Sequence, residues 1–145
     1  MGPYLLDVNV LVALMWHEHE HHSKVQSWFA RHSKSGWATC PFTQAGLVRI
    51  LCNPALSSHP ASPEQAIGTL RLNTQHTGHQ FWKDQITVPQ ALEPVKTRLL
   101  GHRQITDAYL LALALHHKGS LATLDRSLPS LLPEEERENG TVVVL

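Results

Sequence analysis

Cysteine is scarce in this chain, and so is charge. Two cysteines in 145 residues, Cys40 and Cys52, exclude a disulfide-stapled scaffold. Cys40 lies in an apolar stretch, which predicts a buried thiol and a reducing compartment. Charged residues make up 17% of the chain, with 12 Lys and Arg against 12 Asp and Glu. That balance excludes a histone-like polycation and an acidic disordered tail. The longest apolar stretch, Tyr4 to Trp16, is interrupted by Asp7 and Asn9 and is too short to span a bilayer. The N-terminus has no basic segment followed by a cleavage-like site. The chain therefore reads as cytoplasmic, with no membrane partner. At 145 residues it reads as one compact domain, 1–145.

The charge that is present is unevenly placed. Residues 134–138 read EEERE, which leaves residues 1–132 with 11 basic and 8 acidic groups. All 11 histidines share that mildly cationic body, which suits a polyanionic substrate without identifying one.

Strand and helix signals alternate. Pro3–Asp7 reads as a buried strand and Val8–Met15 as a helix; His17–His22 is a polar joint. Ser23–His32 returns to helix, with Val25, Trp28 and Phe29 at i, i+3 and i+4. Gly36 ends it, and Trp37–Cys40 reads as a second strand. A helix starts at Pro41 or Thr43 and runs to Leu51, followed by a loop over Asn53–Pro63. Ser62, Pro63, Glu64 and Gln65 form a helix start, and that helix runs to Gln75. Residues His79–Val88 carry no decisive pattern, and Pro89–Leu100 reads as a short helix. Thr106 is the expected cap of an apolar helix over Asp107–His117, ended by Gly119. Leu121–Leu124 and Thr141–Leu145 read as strands, with the turn-rich segment Pro129–Asn139 between them. The alternation predicts an α/β/α three-layer sandwich around a mainly parallel sheet. Such a sheet presents ligands at the carboxyl ends of its strands.

Aspartate is rare as well: only Asp7, Asp84, Asp107 and Asp125 occur. Asp7 closes the first strand, Asp125 follows the Leu121–Leu124 strand, and Asp107 opens a helix. In a parallel sheet these three reach one edge. Each alone suits a helix cap. Together they repel one another unless a cation intervenes, and oxygen ligands select Mg²⁺ or Mn²⁺.

The segments LLDVNVLVAL (5–14), QITDAYLLALA (104–114) and LATLDRSL (121–128) resemble PIN-domain ribonucleases, most closely the VapC-type toxins of toxin–antitoxin pairs. TQAGLVRILCNP (43–54) resembles one VapC subgroup, and the segments occur in the family's order along essentially the whole chain. The resemblance implies a PIN-like fold and Mg²⁺-dependent (or Mn²⁺-dependent) endonucleolytic cleavage of RNA. It implies a VapB-like antitoxin as partner and a homodimer. By matching position it makes Asp7, Asp107 and Asp125 the catalytic, metal-binding acids. Asn9 belongs to the family's Asp-x-Asn element and is expected to orient Asp7 or the substrate. Thr123 matches a hydroxyl residue two places before the last acid, and Thr106 is expected to hold Asp107 by hydrogen bond. Many members carry a Glu in the helix after the second strand. Here that position falls near Gly46, and no acid occurs between Gln26 and Pro63. Gln44 and Asp84 are the candidate substitutes. Arg49, Arg103 and Arg126 are candidate phosphate contacts.

Competing signals are weaker. His17-Glu18-His19-Glu20-His21 matches H-E-x-x-H, the zinc-hydrolase helix motif, but no third ligand stands at the expected spacing. Asp7-Val8-Asn9 resembles the Asp-x-Asp start of haloacid-dehalogenase phosphatases, yet Asn9 cannot exchange the proton that the second Asp handles. A nucleic-acid-binding protein with weak or no nuclease activity is the remaining alternative. The sequence contains no pattern of stacked aromatics with basic residues of the kind that binds RNA.

Overall fold

The computed structural model describes residues 2–145. Five parallel strands form one sheet: β1 (Tyr4–Leu6), β2 (Trp37–Thr39), β3 (His79–Phe81), β4 (Ser120–Thr123) and β5 (Val142–Val144). Their order is β3-β2-β1-β4-β5. Parallel neighbours cannot be joined by tight turns, so helices carry the crossovers. Up to β4 these are α1 (Val8–Met15), α2 (His22–His32), α3 (Pro41–Leu51), α4 (Pro63–Asn73), α5 (Val88–Leu92) and α6 (Ile105–His116), while from β4 to β5 the connection holds 3₁₀ turns at Leu128–Leu131 and Glu134–Glu136.

The period-2 alternation of the strands divides the core between two layers. Leu5 and Leu121 face Tyr109, Leu110, Leu113 and Leu128 on one side of the sheet. Tyr4, Leu6 and Ala122 face Val10, Leu11, Val25, Trp28 and Leu47 on the other. β1, β2 and β4 are buried along their whole length, as strands covered on both faces must be. No helix among the described residues is long and apolar enough to cross a membrane.

Local signals place most boundaries. Ser62 accepts from Gln65 N–H at 3.1 Å while Gln65 Oε1 accepts from Ser62 N–H at 2.9 Å, a capping box at the start of α4. Gly36 ends the α2 segment at φ +92°, a backbone state that side-chain-bearing residues rarely adopt.

Four elements differ from the sequence expectation. Cys40 lies one residue past β2, immediately before Pro41 opens α3, and its N–H donates to Thr43 Oγ1 at 3.0 Å. Residues 79–81, which lacked a decisive pattern, form the edge strand β3. The helix expected over Pro89–Leu100 is only the five residues of α5, capped by Thr87, followed by a 3₁₀ turn at Glu93–Val95. Pro94 has no N–H with which to continue an α-helix. Finally, Thr106 does not cap α6. The helix starts at Ile105, continuing a 3₁₀ turn over His102–Gln104, so Thr106 already lies inside it.

Candidate active site

The chain runs from β1 outward through β2 to β3, then returns to build β4 and β5 on the other flank of β1. The crevice between β1 and β4 is therefore the switch point of the sheet, where open α/β folds bind ligands. Leu6 pairs with Ala122 at the carboxyl end of both strands. The residues that follow are Asp7 on one side and Thr123 to Asp125 on the other.

Asp7 is buried and caps α1. Its Oδ1 accepts from Val8 N–H at 2.7 Å, and its Oδ2 accepts from Thr123 Oγ1 at 2.7 Å. Thr123, fully buried, accepts in turn from Asp125 N–H at 3.0 Å. One hydroxyl, 116 residues on from Asp7, thus ties the first of the three acids to the backbone of the last. Asp125 Oδ1 accepts from both the N–H and the hydroxyl of Ser127, at 2.8 and 2.7 Å. Ser127 was absent from the sequence candidates. Its signal was the Asp-x-Ser spacing, which suits an Asp side chain bonding two residues ahead.

Asp107 sits in the first turn of α6 and is half-buried. Burial, and then the negative charges of Asp7 and Asp125, push its carboxyl from the usual 3.8 to about 6. Burial also raises Asp7; its hydrogen bonds from Thr123 and Val8 oppose the rise, and the Asp125 charge adds to it. The three carboxylates therefore act on one another electrostatically. Among the described residues, no three or more His, Cys, Asp or Glu side chains are drawn together closely enough to hold a metal ion by themselves. An open carboxylate set still suits Mg²⁺, which keeps several waters and needs only one or two protein carboxylates beside substrate phosphates. Oxygen donors, mutual repulsion and a carboxyl held half-protonated near pH 6 are the chemistry that a hard divalent cation relieves.

The other candidates divide. Asn9 accepts from Leu124 N–H at 3.2 Å through its Oδ1, so it fixes the end of β4 rather than orienting Asp7. Thr106 is exposed and makes no hydrogen bond to Asp107, because Asp107 follows it within a continuous helix. Gln44 turns its amide to Thr39, donating to Oγ1 at 2.9 Å, while His79 Nε2 meets the same hydroxyl at 2.8 Å. Asp84 is exposed and its charge acts on Cys40 and Tyr109. Arg49, Arg103 and Arg126 are exposed and take part in neither ion pair found among the described residues, Lys96–Glu93 and His21–Glu20. His17 and His21 lie in turns between α1 and α2, so the H-E-x-x-H match lacks the helix that would align its two histidines.

Gly46, near which the family's Glu is expected, leaves little room for a side chain. A Cβ at Gly46 would stand 2.7 Å from Val8 Cγ2. The helix α3 therefore lies against the first turn of α1, next to Asp7, and only hydrogen fits between them.

Similarities to known proteins agree with this architecture. The family model described as PIN domain matches residues 4–131. The chain is 42% identical over 124 residues to Ribonuclease VapC39 of Mycobacterium tuberculosis, covering 86% of this chain and 89% of the relative. It is 40% identical over 141 residues to Ribonuclease VapC29 of the same organism, covering 97% and 94%. Among solved structures, PAE2754 from Pyrobaculum aerophilum aligns with a TM-score of 0.63 at 20% identity, covering 99% of this chain and 84% of that one. VapBC2 from Rickettsia felis, bound to a DNA fragment from their promoter, aligns at 0.59 with 13% identity, covering 98% and 96%. At those identities the structural matches speak for the fold alone, while the sequence matches speak for descent: the chain belongs to the PIN-domain family, among its VapC ribonucleases.

Proposed function

We propose that this chain is a metal-dependent endoribonuclease, the toxin of a toxin–antitoxin pair, with Asp7, Asp107 and Asp125 as its metal-binding and catalytic acids. The observation that carries this reading is the gathering of three carboxyl groups at the sheet's switch point, where burial, and then the charges of Asp7 and Asp125, raise Asp107 to about 6. When bound there, Mg²⁺ or Mn²⁺ supplies Lewis-acid stabilisation of the phosphodiester and a water of lowered pKa for in-line attack. The chain's own residues provide the setting. Thr123 holds Asp7 and Asp125 in register through one hydroxyl. Ser127 fixes Asp125 Oδ1, and Asn9 fixes the strand end that carries it. Arg126, next to Asp125 and free of an ion pair among the described residues, is the phosphate contact nearest in sequence to the acids; Arg49 and Arg103 are further candidates. The surplus of basic groups over residues 1–132 favours approach of a polyanion. The relatives are ribonucleases, which supports RNA as substrate, and one solved neighbour is a VapBC complex, which supports a VapB-like antitoxin as partner; a second copy of the chain is what the family resemblance implies.

The test is cleavage of RNA by the purified protein with Mg²⁺ or Mn²⁺, its arrest by EDTA, and its loss in Asp7→Asn. Asn keeps the size and the accepting oxygen of Asp7 but removes the charge. Undiminished cleavage by a folded Asp7→Asn protein would overturn the assignment.

A further inference from the structure

The histidine-rich corner between α1 and α2 lies at the other end of α1 from Asp7. The eight residues of α1 set the two regions about 12 Å apart along the helix axis. His22 opens α2, and its Nδ1 lies 2.8 Å from the carbonyl oxygen of Ala13. A carbonyl only accepts, so Nδ1 carries the hydrogen and Nε2 of the neutral ring presents its lone pair. That Nε2 is buried and has no hydrogen-bond partner among the described residues. Buried polar atoms without a partner are rare in folded proteins and call for an explanation. The His17 ring stands beside it, with centroids 4.8 Å apart and planes at 59°, which is not a stacked pair.

We propose that His17 and His22 form a transition-metal site, for an ion of the Zn²⁺ or Cu²⁺ kind, independent of the acidic edge. Two imidazoles bound to one ion through metal–nitrogen bonds of about 2.0–2.1 Å place their ring centroids about 5 Å apart, close to the separation seen. A ligating histidine usually donates its other ring N–H to a backbone carbonyl, which fixes the tautomer, as Ala13 does for His22. Imidazole donors select Zn²⁺, Cu²⁺ or Ni²⁺ over Mg²⁺. The neighbouring histidines are committed elsewhere. His19 Nδ1 accepts from His21 N–H at 3.0 Å, and His21 Nε2 lies 3.6 Å from Glu20. No third side chain converges among the described residues, so water completes the coordination. An ion held here clasps the start of α2 to the turn that leaves α1.

Tag-free protein stripped of metal is titrated with Zn²⁺ in excess Mg²⁺, against a chromophoric chelator. One bound equivalent is expected. Its affinity falls about tenfold or more in His17→Ala, where an exposed side chain is lost, and in His22→Asn. Asn retains an N–H for the Ala13 carbonyl but offers no imidazole. His102→Ala, at an exposed histidine in the 3₁₀ turn before α6, leaves the affinity unchanged. With Cu²⁺, the electron paramagnetic resonance spectrum shows coupling to two imidazole nitrogens in the parent and to one in each variant. Binding equal to the parent in either His17→Ala or His22→Asn overturns the site. So does an equal loss in His102→Ala, which would mark diffuse binding over many histidines.

Discussion

Asp107 gives the sharpest test of the electrostatics, because its effect on stability runs opposite to its effect on activity. In the folded chain its carboxyl binds a proton more tightly than in the unfolded chain, at about 6 against 3.8. Between those values folding takes up a proton, so stability falls as pH rises through the window. Above about pH 6 the whole cost is present, and below 3.8 it vanishes because both states are protonated. At about 1.4 kcal/mol per pH unit the rise corresponds to about 3 kcal/mol. The group is half-buried, and solvent screening reduces that to about 1–2 kcal/mol. Asp107→Asn, measured in EDTA at pH 8, should therefore be more stable than the parent by about 1–2 kcal/mol, raising Tm by about 3–6 °C in a chain of this size. At pH 4.5 about a third of the gain should remain. Saturating Mg²⁺ should shrink or reverse the difference, since at ten times Kd a cation that binds only the folded parent stabilises it by about 1.4 kcal/mol. The assay is urea unfolding of both proteins at the two pH values, with and without Mg²⁺. A variant no more stable than the parent at pH 8 in EDTA, or a gain that ignores pH, would refute the reasoning.

Other predictions follow from single contacts. Thr123→Val keeps the shape of the buried side chain but leaves Asp7 Oδ2 and Asp125 N–H without their shared partner. It should cost about 1–3 kcal/mol in urea unfolding and lower kcat for RNA cleavage more than it raises KM. Gly46→Ala forces a methyl group against Val8 and should cost about 1–3 kcal/mol. Val8→Ala should recover part of that loss in a double-mutant cycle; simple additivity would show that the two helices do not meet as described. Substituting His17 and His21 together by Ala should leave Mg²⁺-dependent cleavage unchanged, because neither lies at the acidic edge. Loss of cleavage in a folded double variant would move the active centre to the histidine corner.

The extent to which sequence anticipates this structure depends on how far each determining force reaches along the chain. Ser62, Pro63 and Gln65 set the start of α4 through bonds made within three residues. Pro3 to Met15 announce strand, acid and helix in immediate succession, and the repeated alternation of such units selects a parallel sheet covered on both faces. The order of strands, with β4 beside β1, follows from which apolar faces must be covered and is decided by packing. The resemblance to the PIN family singles out three acids as candidates, but position in sequence does not say where a side chain points. Thr106 looked like a cap because hydroxyl residues cap helices, yet a 3₁₀ turn from His102 extends the helix start past it. Gln44 looked like a substitute ligand, and its amide is engaged by Thr39. Local sequence determined where elements begin, which faces are apolar and which residues are acidic. Only the tertiary structure decided that Thr123 joins Asp7 to Asp125, that Asp107 resists ionisation, and that His22 keeps a free nitrogen, because each depends on groups brought together by strand register and helix packing.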